Sequence, residues 1–111
     1  MMQSRLLGRI GIDVGPHSLG TAVIGNLYRE VDDATAIDAI HSAWESGVRY
    51  FDTAPHYGLG LAETRLGEGL AGRNRDDFVL STKVGKLIVD AENPAPRDTE
   101  GFDVPGNKMR V

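Results

Sequence analysis

The sequence predicts an α/β domain built on a parallel β-sheet. Three short apolar segments recur at intervals of about thirty residues, and a stretch with helical spacing lies between each pair. This alternation is typical of consecutive βαβ units, whose crossovers are right-handed. The chain also has 14 glycines in 111 residues, and they lie between the apolar segments, where turns and helix ends are expected.

The composition excludes several classes of protein. Hydrophobic residues make up 41% and charged residues 25%, which is ordinary globular usage. The net charge of −4 argues against nucleic acid as a partner. The absence of cysteine excludes disulfides and cysteine-based metal sites, and three scattered histidines predict no metal site. No apolar run approaches the roughly 20 residues that span a bilayer, and no signal peptide is evident, so we expect no membrane partner and a cytoplasmic location.

The three predicted strands are rich in β-branched and aromatic residues. They cover residues 19–24, 48–52 and 78–83, and glycine or polar residues flank each of them. In a parallel arrangement their carboxyl ends lie at the same edge of the sheet. That edge is where ligands bind in parallel α/β proteins.

The first predicted helix begins after an acidic cap and ends before a glycine. Asp32 can cap its first turn. Ile37, Ile40 and Trp44 follow at steps of three and four, which predicts one apolar face. Gly47 lies where the left-handed residue after a helix is favoured.

The second predicted helix covers residues 61–70. Gly67 and Gly69 weaken this prediction, because glycine inside a helix costs up to about 1 kcal/mol relative to alanine. Three residues are predicted to face inward: Ala62, Leu66 and Leu70.

The two ends of the chain have less regular patterns. Residues 1–18 predict an N-terminal hairpin, residues 19–86 carry the three strands and two helices, and residues 87–111 are predicted to be an irregular loop. A three-stranded parallel sheet buries little surface alone, since parallel sheets normally have both faces covered. The pattern therefore predicts a larger assembly than 111 residues can build.

Three side chains that could carry chemistry follow the predicted strands. Asp52 ends the second strand, Tyr57 lies in the loop after it, and Lys83 ends the third. An ammonium next to a phenol favours the phenolate, and a carboxylate can hold the ammonium in place, so the trio predicts a proton donor and acceptor. Each residue also has an ordinary alternative: a turn cap for Asp52, a loop aromatic for Tyr57 and a solvated strand end for Lys83.

The segment around these residues resembles the aldo-keto reductases. The stretch Asp-Thr-Ala-Pro-His-Tyr-Gly from Asp52, with Glu63 and Gly67 beyond it, is similar to a signature of that family. The segment Ser-Thr-Lys-Val-Gly at 81–85 resembles the family's lysine strand. The likeness runs from about residue 5 to residue 86 and is strongest to a bacterial branch of sugar and pyridoxal dehydrogenases.

The resemblance implies a fold, a cofactor and a set of roles. The fold would be a (β/α)8 TIM barrel of which this chain holds the first three βα units, and the cofactor NAD or NADP. Tyr57, Lys83 and Asp52 would be catalytic, and Tyr57 would also contact a sugar or carbonyl substrate. The remaining implied contacts are Gly20, Thr21 and Asp52 with the cofactor and His56 with the substrate.

One departure from the family's pattern, together with the chain length, limits what the resemblance implies for this chain alone. The family's catalytic histidine ends the fourth strand, and the sequence stops before such a strand; His56 does not match that position. A complete barrel needs roughly 250 residues, so we expect an N-terminal fragment with little or no catalysis of its own. Two other hypotheses remain: a non-catalytic half that pairs with a complementary C-terminal half, and a small self-standing α/β binding domain.

Overall fold

The computed structural model describes residues 3–106 and 109–110. Its strands and helices follow the predicted alternation, with short additions at both ends. The strands are β1 Arg5–Leu6, β2 Asp13–Val14, β3 Leu19–Gly20, β4 Tyr50–Asp52, β5 Val79–Ser81, β6 Val89–Asp90 and β7 Met109–Arg110. The helices are α1 Asp33–Glu45, α2 Leu61–Leu70 and α3 Pro96–Thr99, with single 3-10 turns at Val23–Gly25 and Arg75–Asp77.

The central sheet is parallel and has the strand order β3-β4-β5. Gly20 pairs with Asp52, and Asp52 pairs with Ser81, so the last residues of all three strands lie in one row. The predicted βαβαβ topology is confirmed. Within the described residues this sheet is open and does not close into a barrel.

The first strand is much shorter than the predicted range 19–24. After Gly20, both the backbone N–H and the hydroxyl of Thr21 donate to the carbonyl of Asp52, at 3.1 and 2.9 Å. The chain then turns into the 3-10 turn at Val23–Gly25 instead of continuing along the sheet. The predicted end of the strand at residue 24 was therefore wrong, because Ile24 is buried in the 3-10 turn and not in the sheet. The other two strands lie inside their predicted ranges.

Helix α1 has the predicted cap, apolar face and end. The carboxylate of Asp32 accepts a hydrogen bond from the backbone N–H of Thr35 at 2.7 Å. Ile40 is fully buried, and Ile37 and Trp44 pack against the core from the same face. Gly47 has φ 95°, the left-handed conformation expected after the helix.

The core lies between the sheet and the two helices. Ile40 and Phe51 have no exposed surface, and Leu66 has 2%. Trp44 stacks on Phe51 with ring centroids 6.4 Å apart. This packing covers one face of the sheet and fixes the strands whose ends carry the candidate site.

Helix α2 has the predicted bounds, and its two interior glycines have opposite environments. At Gly69 an added Cβ would lie 2.7 Å from Cδ1 of Ile40, so the absence of a side chain lets α1 approach α2. At Gly67 an added Cβ would meet nothing within 4 Å. The predicted inward residues are confirmed as buried: Ala62, Leu66 and Leu70.

This contrast predicts opposite effects of the same substitution. Gly67→Ala should raise the free energy of unfolding by about 0.5–1 kcal/mol, because alanine lowers the entropy of the unfolded chain. Gly69→Ala should lower it by about 1–3 kcal/mol, because the new methyl overpacks against Ile40. Urea unfolding followed by the fluorescence of Trp44, the one tryptophan, measures both. Equal effects at the two positions would contradict the helix packing described here.

Short antiparallel strand pairs lie near both ends of the chain. Near the N-terminus, where the sequence predicted a hairpin, β1 pairs with β2. The segment 87–111, predicted to be irregular, contains the antiparallel pair of β6 and β7 and the one-turn helix α3. Phe102 in this segment is only 7% exposed. The prolines correctly marked local breaks in structure, but they carry no signal for the long-range contacts that order the segment.

In the described part of the chain, no helix has the length and hydrophobicity needed to cross a membrane.

Candidate active site

The three side chains singled out in the sequence meet at the carboxyl edge of the sheet. The Nζ atom of Lys83 lies 3.0 Å from Oδ2 of Asp52, in an ion pair. The same Nζ lies 4.9 Å from the centre of the Tyr57 ring. Lys83 is thus the common neighbour of the carboxylate and the phenol, as the spacing predicted.

Lys83 is also held by the backbone of the residue that follows β4. Its ammonium donates a second hydrogen bond to the carbonyl oxygen of Thr53 at 3.0 Å. The backbone N–H of Thr53 in turn donates to the carbonyl of Ser81 at 2.9 Å, which continues the pairing of β4 and β5. Two acceptors therefore fix the ammonium, although about half of the Lys83 side chain is exposed.

Ser81 belongs to the site and was not predicted as a site residue. Its hydroxyl donates to Oδ1 of Asp52 at 2.6 Å and accepts from the hydroxyl of Tyr50 at 3.1 Å. The Asp52 carboxylate therefore has a donor on each oxygen, Ser81 on one and Lys83 on the other. Strand alternation could have found Ser81, since it lies two residues before Lys83 and so on the same face of the strand predicted over residues 78–83.

The electrostatics of the pair favour the charged forms of both groups. The hydrogen bond from Ser81 is the largest cause that lowers the pKa of Asp52, with Lys83 adding to it and partial burial opposing it. The hydrogen bond to Asp52 is the largest cause that raises the pKa of Lys83; burial opposes it, and Tyr57 adds to it.

The signs of these shifts define the pH range of the ion pair. The contribution of Asp52 to stability is complete above its ordinary pKa of 3.8 and is lost as the pH falls through the lowered value. The contribution of Lys83 is complete below its ordinary pKa of 10.5 and is lost as the pH rises through the raised value. The pair is therefore intact at neutral pH, but the exposure of both side chains makes its contribution to stability small.

The loop that carries Tyr57 depends on close backbone contact with the 3-10 turn at Val23–Gly25. A Cβ added at Gly25 would lie 2.8 Å from the carbonyl carbon and oxygen of Tyr57. Gly58 has φ 71°, and a Cβ there would lie 2.5 Å from the carbonyl oxygen of Gly25. The carbonyl of Tyr57 also accepts from the N–H of Ala62 in the first turn of α2. Tyr57 is thus fixed from both sides of its loop.

Of the two residues expected near a cofactor at the end of β3, one is open and one is buried. Gly20 is exposed, and a Cβ added to it would meet nothing within 4 Å. Thr21 has no exposed surface, and its hydroxyl donates to the carbonyl of Asp52. The side chain of Thr21 therefore joins β3 to β4, while the backbone at Gly20 leaves free space beside the site.

His56 lies next to Tyr57, but its side chain is directed into the fold. Its side chain is 11% exposed, and Nε2 lies 3.0 Å from the carbonyl oxygen of Asp98. Its ring packs edge-on against Phe102 at 5.3 Å. His56 and Tyr57 also line, with Lys83, a cleft of about 220 Å³, so His56 borders the space that a substrate would enter.

The residues present fit the nicotinamide end of a dinucleotide. The open backbone at Gly20 lies in register with Asp52, which leaves room for a flat ring beside the candidate catalytic groups. About 39% of the Asp52 side chain is exposed, so its carboxylate can accept hydrogen bonds from hydroxyl groups. Gly20 and Asp52 fit a nicotinamide in this way, whereas the side chain of Thr21 is buried and does not face that space.

One family match covers both the parallel sheet and the candidate site. The chain matches the Aldo/keto reductase family over residues 18–104, which include every strand of the parallel sheet and all the candidate site residues. The chain therefore belongs to this family, as the resemblance implied.

Two curated relatives are 45% identical to the chain. One is D-threo-aldose 1-dehydrogenase from a Pseudomonas species, matched over 90% of this chain and 31% of the relative. The other is pyridoxal 4-dehydrogenase from Microbacterium luteolum, matched over 78% of this chain and 25% of the relative. The chain thus spans about a third or less of the length of these relatives.

Solved structures show the same partial match at the level of the fold. The holo form of an aldo-keto reductase from Bacillus halodurans superposes with a TM-score of 0.69 and 31% identity, over 94% of this chain and 30% of that protein. A glycerol dehydrogenase from Gluconobacter oxydans superposes with a TM-score of 0.64 and 27% identity, over 97% of this chain and 29% of that protein. The open three-stranded sheet is therefore a part of the larger family fold.

Proposed function

We propose that this chain supplies the proton-transfer residues of an oxidoreductase that depends on NAD or NADP. The reaction interconverts a sugar hemiacetal and a lactone, or an alcohol and a carbonyl compound. The observation that carries the proposal is the ammonium of Lys83, which lies 3.0 Å from the Asp52 carboxylate and 4.9 Å from the centre of the Tyr57 ring. The two dehydrogenase relatives support the choice of reaction.

Tyr57 acts as the base in the oxidative direction. Its oxygen, ionised as the phenolate, takes the proton of the anomeric hydroxyl while the hydrogen on the anomeric carbon leaves as hydride, and the product is a lactone. Lys83 favours this step because its positive charge stabilises the negative charge on the phenol oxygen. Asp52 keeps the ammonium next to the ring. In the reductive direction, Tyr57 returns the proton to the oxygen of the carbonyl group.

A bound nicotinamide would supply the hydride acceptor in the oxidative direction and the hydride donor in the reductive direction. Gly20 and Asp52 would hold the nicotinamide end of the cofactor, since the backbone at Gly20 is open and the carboxylate of Asp52 is accessible. Thr21 would contribute through the fold, by joining β3 to β4. The substrate would enter the cleft that His56 and Tyr57 line.

The isolated chain is proposed to be inactive. The family's catalytic histidine belongs to a fourth barrel strand, and the central sheet of the described residues has three strands. Most contacts that hold the cofactor's phosphates would also come from the rest of a barrel.

A chimera tests the proposed chemistry directly. Residues 18–104 of this chain replace the matching segment of the Pseudomonas D-threo-aldose 1-dehydrogenase, so that the relative supplies the remaining strands. With NAD or NADP and an aldose that the unmodified relative oxidises, the absorbance of the reduced cofactor should increase. Tyr57→Phe in the chimera should lower kcat by about 10²–10⁴-fold, the usual contribution of an acid–base group.

Tyr28→Phe is the matched control, because it removes the same hydroxyl from a tyrosine that is 83% exposed and lies outside the candidate site. Its chimera should keep the activity of the parent. The 111-residue chain alone should give no turnover in the same assay. A chimera that turns over equally well with Phe at position 57 would refute the role of Tyr57.

The open sheet favours a second candidate function, that of a non-catalytic half that pairs with a complementary chain. Within the described residues, β3 and β5 are the outer strands of the parallel sheet, and each has one neighbour. Beside β5 lies an apolar cleft of about 350 Å³ between the strand and α2, lined by Leu66, Leu70, Phe78 and Leu80 among others. Unpaired strand edges and exposed apolar surface both favour association.

The two functions give different results when the remainder of the Pseudomonas relative is added as a separate polypeptide. If the two polypeptides pair, we expect a stable one-to-one complex on gel filtration. A dye that binds exposed apolar surface should also lose its binding to the apolar cleft. A complex that forms but remains inactive favours the non-catalytic half. A complex that oxidises aldoses and loses this activity with Tyr57→Phe favours the oxidoreductase.

A further inference from the structure

A segment far from Tyr57 in the sequence lies against its ring. This cover segment, residues 96–103, begins with α3 and ends just after Phe102. The ring of Phe102 lies 5.7 Å from that of Tyr57, tilted by 32°. Phe102 is buried, yet it is not part of the main core cluster between the sheet and the helices. Its burial results from the contacts at the site.

Backbone hydrogen bonds join the cover segment to the loop that precedes α1. The N–H of Tyr28 donates to the carbonyl of Gly101 at 2.7 Å, and the N–H of Asp103 donates to the carbonyl of Asn26 at 2.8 Å. The side-chain amide of Asn26 donates to the carbonyl of Asp103 at 2.8 Å. Phe102 lies between these bonds in sequence and forms a bridge with Leu27. Its position is therefore set by fixed backbone on both sides.

The cover segment also binds the residue that precedes Tyr57. The carbonyl of Asp98 accepts from Nε2 of His56 at 3.0 Å, which requires the proton on that nitrogen. Glu100 lies 3.9 Å from the other ring nitrogen of His56 and 3.4 Å from the ammonium of Lys86. His56 and Tyr57, which are consecutive in the chain, thus both have an aromatic contact with the side chain of Phe102.

We propose that Phe102 is a positioning residue for Tyr57, a role that rests on the proposed function of Tyr57 as the acid–base group. Phe102 fills the space beside the phenol ring and so limits the orientations in which the hydroxyl faces the cleft. An acid–base group is effective only within hydrogen-bond distance of the atom that gives or receives the proton. Lys83 and Phe102 together restrict the ring, Lys83 by charge and Phe102 by packing.

Chemical modification of the 111-residue chain tests this positioning without any cofactor. N-acetylimidazole acetylates accessible phenols, and peptide mass spectrometry gives the rate at each tyrosine. In the unchanged chain Tyr57 should react several times more slowly than Tyr28, which is 83% exposed. Phe102→Leu should raise the rate at Tyr57 towards that of Tyr28. Tyr50, whose hydroxyl donates to Ser81, should keep its rate.

Two further variants keep the test decisive. Phe102→Tyr retains the ring and should leave the rate at Tyr57 unchanged. Phe102→Met retains apolar volume in a flexible side chain, so it serves if Phe102→Leu does not fold, and it should also raise the rate at Tyr57. An unchanged rate at Tyr57 in Phe102→Leu and Phe102→Met, or a rise at Tyr50 of the same size, would overturn the proposal.

The chimera separates this proposal from the proposed reaction. In an active chimera, Phe102→Leu should lower kcat about tenfold with little change in KM, because ring orientation affects the proton transfer and not the substrate contacts. Loss of binding alone, with kcat unchanged, would contradict a positioning role. If the chimera is inactive, the reaction is in question, while the acetylation rates still decide whether Phe102 positions the ring.

Discussion

Replacing Arg65 by methionine should lower the free energy of unfolding of the chain by about 2–6 kcal/mol. The guanidinium is 5% exposed and donates to the backbone carbonyls of Ile24 and Val31, at 2.8 and 2.6 Å. Methionine fills much of the space but donates nothing. Two buried carbonyls would then lose their partner, at a cost of about 1–3 kcal/mol each.

The side chain of Arg65 also links α2 to the loop between β3 and α1 and to the first residue of α1. It donates to the side-chain oxygen of Asn26 at 3.0 Å and to the carboxylate of Asp33 at 2.9 Å. The loop between β3 and α1 is therefore fixed on α2 by one cation. With a summed loss of about 2–6 kcal/mol against a typical stability of about 5–15 kcal/mol, a small domain loses much of its stability.

Two variants separate the hydrogen bonds from the charge. Arg65→Lys keeps the charge but has one compact donor group, so it should recover only part of the lost stability. Arg29→Met removes an exposed guanidinium and should change the free energy of unfolding by less than about 0.5 kcal/mol. Urea unfolding followed by Trp44 fluorescence gives all three values. An unfolding midpoint of Arg65→Met equal to that of the unchanged chain would show that the buried network does not stabilise the fold.

The burial of Arg65 could not be predicted from the sequence. The periodicity of α2 correctly assigned Ala62, Leu66 and Leu70 to the core, because apolar spacing follows directly from helix geometry. A buried arginine on the same helix breaks that pattern. Its acceptors are carbonyls of the loop between β3 and α1, and backbone carbonyls carry no mark in a sequence.

The candidate site was predictable to the extent that it follows from strand ends. Asp52 and Lys83 are close because parallel strands place their carboxyl ends together, and this requires only the correct strands. Ser81 required the register as well, since its bond to Asp52 depends on the pairing of those two residues. The contact of Phe102 with Tyr57 joins residues 45 positions apart in sequence, through a segment with no regular pattern.

The first strand shows a different limit. Residues 19–24 have the apolar content of a buried strand, but the chain leaves the sheet after Thr21 and enters the 3-10 turn at Val23–Gly25. Ile24 and Gly25 are then buried in a turn that supports the loop of Tyr57. Apolar content predicts burial, and it does not distinguish burial in a strand from burial in a turn.

Gly25→Ala should displace the loop that carries Tyr57 and destabilise the chain. The new Cβ would lie 2.8 Å from the carbonyl carbon and oxygen of Tyr57 and 3.1 Å from the backbone nitrogen of Gly58. These neighbours are backbone atoms, so no side-chain rotation relieves the overlap, and the loop must move. We expect a loss of about 1–3 kcal/mol in the free energy of unfolding, as for overpacked sites generally.

The same displacement should affect the chemistry more than the stability. A shift of about 1 Å in a catalytic group can lower the rate about 10²-fold, so Gly25→Ala in the chimera should reduce kcat by about that factor. Gly15→Ala is the control, since a Cβ there meets nothing within 4 Å and the residue lies outside the site. Gly15→Ala should change neither quantity appreciably. If Gly25→Ala keeps both the stability and the kcat of the parent, the close contact between the 3-10 turn and the loop of Tyr57 does not position the tyrosine.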